Sequence, residues 1–370
     1  MKAIVIGGGI GGLTAAAALK RKGWTVRVHE RAASLEPVGS GLAMAPNALR
    51  ALDTIGLGDP VRELAAFAGD GGLRRPDGGW LSRTSAEAAR ERFGDPLVVM
   101  LRATLIDLLR DRLDPGDLRL GDTVESASPD GTVITSAGAH TADLIVAADG
   151  IGSRVRAALF PGHPGPRHTG LTAWRLLTDD PEGRSTPAET WGRGLVFGVN
   201  PIADGKVYCY ATAPAPAGAT APDEREELLR LFGSWHDPIP GLLDRADPAR
   251  VLRNDVHYMP RPLPAFHRGR IALLGDAAHP MTPNLGQGAC QAIEDAVTLA
   301  HVAAAGADLA AYTRARLPRT TQIMKSSHRI ARLTTLRTPL RDTAMRAVGR
   351  LGPNLLLRQG DRTFGWRPPA

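Results

Sequence analysis

Apolar residues along this chain fall into two rhythms. Four short runs are almost unbroken: residues 1–6 (MKAIVI), 24–29, 142–148 (ADLIVAA) and 271–274. Such runs suit strands buried on both faces of a parallel sheet. Other stretches follow helical spacing. Residues 13–20 are alanine-rich, residues 289–305 form a long run, and residues 101–113 carry Leu101, Leu105, Leu108, Leu109 and Leu113 in phase. A glycine-rich loop from Pro37 leads into a helix ending near Leu52, with Asn47 as a candidate cap. Residues 74–81 (RRPDGGWL) read as a surface hairpin, and residues 118–124 and 132–135 as short strands. Between residues 172 and 213, runs such as TAWRLL, GLVFGV and KVYCYATA alternate with glycine and proline, as in an antiparallel sheet. A loop at 213–222 then precedes a helix over 223–235, capped by Asp223.

The first thirty residues organise the rest. A strand is followed at once by Gly7-Gly8-Gly9-Ile10-Gly11-Gly12, then a helix, a second strand and Glu30. In such a unit Gly7 permits the tight turn, Gly9 lets backbone approach a pyrophosphate, and Gly12 lets helix and strand pack closely. Amides at the helix start face the phosphates, and the acid accepts from a ribose diol. The spacing therefore predicts a dinucleotide site.

Composition narrows the class. The 370 residues allow two lobes, and 43% hydrophobic with 22% charged residues is a globular balance. Cys209 and Cys290 are the only cysteines; they form no metal-ligand spacing and no disulfide framework, which points to a reducing cytoplasm. The chain opens directly on a strand, so no signal peptide is expected, and no apolar run is long enough for a membrane span. The net charge of +7 is concentrated after residue 313, where thirteen basic residues face two acids. That segment reads as basic amphipathic helices with a solvated arginine face. Contact with an anionic membrane is the alternative; no nucleic-acid motif accompanies the charge.

Three features sit at the ends of buried runs: Gly7 to Gly12, Asp149-Gly150 and Gly275-Asp276. Ligands of open α/β sheets bind beyond those strand ends, so all three are expected at one crevice. Together with GDAAHPMTPNLGQGACQAIED at residues 275–295 and VGSGLAMAPNALRAL at 38–52, they resemble the single-component FAD-dependent aromatic hydroxylases, the para-hydroxybenzoate hydroxylase group. Salicylate, 6-hydroxynicotinate and urate hydroxylases look most similar. The resemblance implies an α/β fold: a Rossmann-like FAD-binding lobe of the GR2 type, an inserted, mostly antiparallel β-sheet substrate lobe, and C-terminal helices. The expected boundaries are 1–70, 100–165 and 270–310 for the FAD lobe, 71–99 and 166–269 for the substrate lobe, and 311–370 for the basic helices.

By the same resemblance, Gly7, Gly9, Gly11 and Gly12 hold the FAD pyrophosphate, and Glu30 with Arg31 the adenosine ribose. Arg102 reaches the cofactor, Ala43 and Val124 offer backbone contacts, and Asp149 lies in an Asp-Gly motif tied to FAD and the reductant. Asp276 binds the ribityl chain, Pro283 lies beside the reactive flavin edge, and Leu285 with Gly286 directs amides at the ring. NADPH or NADH is implied as transient co-substrate, with oxygen delivered from a flavin C4a-hydroperoxide to a small aromatic or electron-rich substrate. Period-2 alternation puts Tyr208 and Tyr210 on one face of a strand. Tyr208 falls where urate hydroxylases place a tyrosine and is a candidate for catalysis or substrate contact, with core packing as the alternative; Val196 falls where they have a substrate-binding arginine, which argues for a less polar, less anionic substrate. Trp174, Arg175 and Trp191 are weaker pocket candidates. The remaining alternatives are a flavin-dependent epoxidase or indole-type oxygenase, and a flavin-binding scaffold without turnover. A monomer or homodimer is expected.

Overall fold

The computed structural model describes residues 1–35, 40–65, 70–336, 341, 343 and 360–370. Two large sheets organise it. A six-stranded sheet has the order His267–Arg268, Ile271–Leu273, Leu144–Ala147, Lys2–Ile6, Thr25–Glu30, Leu118–Leu120. All neighbours run parallel except the edge pair His267–Arg268 with Ile271–Leu273. The unbroken apolar runs supply its centre, and Ile4, Val5, Ile145, Val146 and Leu273 are buried. The Ile10–Arg21 and Gly288–Ala304 helices pack together against it. The crucial consequence is adjacency: the strands leading into Gly7, Asp149 and Gly275 are neighbours, and all three end on the same edge.

The seven-stranded sheet has the order Leu252–Tyr258, Arg167–Asp179, Lys206–Pro214, Val196–Pro201, Ala188–Trp191, Asp70–Arg74, Trp80–Ser85. It is antiparallel except where Asp70–Arg74 joins Ala188–Trp191. The hairpin expected at 74–81 exists, but it is the edge of this sheet rather than a free surface feature. One sheet face is closed by the Glu224–Phe232 and Ile239–Asp244 helices over Trp174, Leu176, Phe197, Val199 and Cys209. Burying each large apolar side chain stabilises by about 1.5–3 kcal/mol. Asp223 does cap its helix, accepting from the Arg225 and Glu226 amides at 2.8 and 3.1 Å.

A third ladder joins the two regions. Gly41–Met44 pairs antiparallel with Val98–Leu101, which leads into the Arg102–Arg110 helix. Asn47 is not a cap: Ala45 occupies that position, Pro46 begins the helix, and the Asn47 side chain is buried against Gln287 and Glu294. The basic segment begins as one 27-residue helix, Leu309–Thr335. It is not simply a solvated arginine face, because Arg316 is 1% exposed and ion-paired in the core. The rest of that expectation, and the 37–39 part of the glycine-rich loop, lies outside the described residues. No described helix is long and apolar enough to cross a membrane.

Candidate active site

The glycine turn divides its labour. Gly7 has φ +106°, and a Cβ there would stand 2.4 Å from the Ala148 carbonyl oxygen. A Cβ on Gly12 would lie 2.0 Å from the Gly7 carbonyl oxygen, and one on Gly11 would lie 2.7 Å from Leu274 Cδ1. These three glycines are demanded by packing. Gly9 differs: among the described residues, a Cβ there would meet only Arg102 Nη2, at 3.9 Å. Gly9 also begins the Ile10–Arg21 helix without any side-chain cap, so the first amides lack an internal acceptor. The helix start thus presents positive partial charge to open space.

That space is a cleft of about 590 Å³ lined by Gly7, Gly9, Glu30, Arg31, Arg102, Val124 and Asp149. Seven of the residues singled out in the sequence therefore converge. Glu30 is already engaged by the protein, its two oxygens accepting the Gly8 amide at 2.6 Å and the Ala32 amide at 2.8 Å. Each oxygen keeps a second lone pair. Asp149 accepts from Ser153 Oγ at 2.6 Å and the Val155 amide at 3.2 Å. Val124 stands at a ladder irregularity, where its strand slips against Thr132–Thr135.

Arg102 connects this cleft to the third strand end. Burial lowers the affinity of its guanidinium for its proton; Asp276 opposes that effect and Arg175 adds to it. Asp276 is exposed to solvent between the buried Gly275 and Ala277. Burial pushes its carboxyl upward, against the lowering pull of His279, Arg102 and Arg156. Arg156, which carried no sequence signal, braces the turn by donating to the Asp276 and Ala277 carbonyls at 3.2 and 3.0 Å. Asp295 holds the same turn from behind, accepting the Gly275 amide at 2.9 Å and facing His279 Nε2 at 2.5 Å.

Beyond it, Pro283 and Gly286 are exposed, and Gly286 has φ +61° opposite Ala43. The amide expected from Gly286 is not available: it donates to the Pro283 carbonyl at 2.8 Å, closing a short turn. Amides left to face outward are those at the start of the Gly288–Ala304 helix, whose N-cap makes no side-chain bond. Leu285 lies in that turn, half-buried.

Tyr208 meets this region directly. A Cβ on Gly41 would stand 2.4 Å from its ring, so the ring lies against the strand carrying Ala43. Burial pushes the Tyr208 phenol up to about 12, with Arg175 opposing. Cross-strand register puts Tyr208, Tyr210, Val196, Arg175, Glu189 and Trp191 on one sheet face. The Tyr208 and Tyr210 rings are 6.1 Å apart. Trp174 does not join them; it lies on the helix-covered face with Nε1 donating to Glu224 at 2.7 Å.

A dinucleotide cleft beside a half-polar sheet face, bridged by one arginine, is the layout of a flavin-dependent monooxygenase. The chain belongs to the FAD binding domain family, which matches residues 1–327. It is 40% identical over 341 residues to the aurachin C monooxygenase/isomerase of Stigmatella aurantiaca, spanning 89% of this chain and 88% of that protein. It is 33% identical to an FAD-dependent urate hydroxylase of Klebsiella pneumoniae, spanning 85% and 84%. The solved structure of Klebsiella pneumoniae HpxO complexed with FAD and uric acid superposes with a TM-score of 0.88 at 30% identity, covering 98% of this chain and 96% of that one. The protein is thus an FAD-dependent monooxygenase, an oxidoreductase using NAD(P)H, with the fold of the single-component flavin hydroxylases.

Proposed function

We propose that the chain hydroxylates a small aromatic or similarly electron-rich substrate lying over the Tyr208 face. The observation that carries this reading is Arg102. It reaches from a helix start to Gly9 on one side and feels Asp276 and Arg175 on the other.

The residues present fit FAD. Uncapped amides at Gly9 and the Arg102 guanidinium suit the pyrophosphate. Glu30 and Arg31 suit the adenosine ribose, and Asp276, near Arg102 and Arg156 yet open to solvent, suits the ribityl hydroxyls. Ala43, Val124 and Leu285 offer backbone to the cofactor, and Pro283 stands at the exposed edge of the same loop. Asp149 orders its own turn through Ser153 beside the cleft. When bound, FAD accepts hydride from NAD(P)H and uses dioxygen to deliver one oxygen atom to the substrate. The start of the Gly288–Ala304 helix, with no side-chain cap, would stabilise negative charge on a reduced flavin. The protein also supplies a largely dry wall: Val196 and Tyr208 are both under 10% exposed. Val196 gives this half-polar wall an apolar patch, and Tyr210 extends the wall.

The test is anaerobic reduction of the bound flavin by NADPH and NADH with phenols, indoles and N-heteroaromatics. Acceleration by one compound class supports the reading; a protein that binds no FAD overturns it.

Burial keeps the Tyr208 phenol protonated at neutral pH, so it serves as a hydrogen-bond donor rather than as a base. Tyr208→Phe is expected to keep FAD content and melting temperature while lowering kcat/KM about tenfold, the worth of one hydrogen bond. Unchanged kcat/KM would reduce Tyr208 to packing against Gly41.

A further inference from the structure

Glu189 has no place in the cofactor site, and its surroundings are unusually specific. It lies on the inward sheet face in register with Gly198, which pairs in turn with Tyr210. Gly198 has no side chain, and a Cβ there would stand 2.2 Å from the Tyr210 ring. The ring therefore lies flat across Gly198 and brings its hydroxyl to Glu189 Oε2. Trp191, two residues along the same strand and so on the same face, donates Nε1 to Glu189 Oε1. Among the described residues each oxygen is held by one donor, which leaves it a second lone pair, and both donors are neutral. Burial pushes the carboxyl upward, and the two hydrogen bonds oppose that push. Glu189 and Tyr210 nevertheless remain partly accessible. Among the described residues, Arg175 and Arg341 border this face. Arg175 donates to Asn254 Oδ1 at 2.8 Å, and Arg341 approaches the Trp191 ring to 5.9 Å while its Nη1 donates to the Gly192 carbonyl at 2.9 Å.

A preoriented carboxyl with a spare lone pair on each oxygen, beside the buried Val196 and two tyrosine rings, offers acceptors to a hydrogen-bond donor. We propose that Glu189 sets substrate specificity: it accepts a hydrogen bond from an N–H or O–H of an uncharged aromatic substrate. This rests on the reading of the Tyr208 face as the substrate wall. Tyr210 and Trp191 are positioning residues, fixing the carboxyl through its two oxygens.

The test uses FAD-loaded protein and titrates the bound-flavin spectrum with indole, 1-methylindole, phenol and anisole. The expected result is that indole or phenol binds at least tenfold tighter than its methylated counterpart. Glu189→Leu is expected to erase the preference, and Glu189→Gln, which keeps an acceptor, to retain it. Equal binding of parent and methylated compounds, a preference that survives in Glu189→Leu, or silence across the whole panel would overturn the proposal. Should Glu189→Leu lose its flavin, the pairwise comparison in the unaltered protein still decides. Failure of the broader reading looks different: no FAD is retained, or NAD(P)H does not bleach it.

Discussion

Gly7→Ala is expected to abolish FAD binding and to destabilise the protein by about 2–5 kcal/mol, combining left-handed strain with overpacking. The alanine Cβ would sit 2.4 Å from the Ala148 carbonyl oxygen. Neither partner can yield. Ala148 donates its amide to the Ile6 carbonyl at 2.9 Å, and Gly7 donates to the His29 carbonyl at 2.9 Å, so both belong to the ladder of the parallel sheet. The φ of +106° adds strain that no rotamer relieves. Gly9→Ala is the matched control. Its methyl group enters open space, so the fold survives with a melting temperature within a few degrees of the original. FAD affinity still falls about tenfold to a hundredfold, because the methyl stands where phosphate oxygens must approach the helix-start amides. Urea unfolding and FAD titration of both variants make the check. Equal stability losses in the two would mean that the turn is purely structural, and unchanged FAD affinity in Gly9→Ala would place the pyrophosphate elsewhere.

The contrast between these two glycines shows what sequence conveys here. Strand, glycine turn, helix and acid were legible because a parallel strand buried on both faces leaves an unbroken apolar run, and because a tight turn admits few residues but glycine. Asp149 and Asp276 were legible for the same reason, each following such a run. Asn47 was misread because a polar residue near a helix start fits a cap as well as a buried bond. Its partners, Gln287 and Glu294, are 240 and 247 residues away. Glu189 was hidden differently. Trp191 at two residues' distance was visible, but Tyr210 reaches it only through the register of three strands. The basic C-terminal charge misled because charge counts do not reveal pairing. A partial signal did exist: Gln287, Gln291, Glu294 and Asp295 recur at helical spacing in an otherwise apolar helix, which marks one polar internal face.

That face supports the second large expectation. Arg316 donates to Glu294 at 2.6 Å and to Asp295 at 2.6 Å, and all three side chains are at most 1% exposed. Arg319 also grips Glu294, while Asp295 holds the Gly275 amide and faces His279. Removing the shared cation leaves two buried carboxylates short of charge, so Arg316→Met is expected to cost about 3–5 kcal/mol at neutral pH. The pH dependence identifies the cause. Burial alone would push both carboxyls upward. In the intact protein Arg316 with Arg319 on Glu294, and His279 with Arg316 on Asp295, outweigh burial and hold both below the usual carboxylate range. Their contribution is therefore present above the unfolded carboxylate pKa and is lost as pH falls through the depressed folded values. In the variant the folded carboxyls bind protons more readily, and protonation removes the uncompensated charge. The stability gap between the two proteins is accordingly expected to narrow as pH falls from 7 towards 4. A gap that stays constant with pH would assign the loss to packing around the missing guanidinium. Because Asp295 also fixes the turn that carries Asp276, the variant is further expected to bind FAD more weakly at neutral pH, and lowering the pH should not restore that affinity: protonated Asp295 no longer orders the Gly275 turn as a charged acceptor.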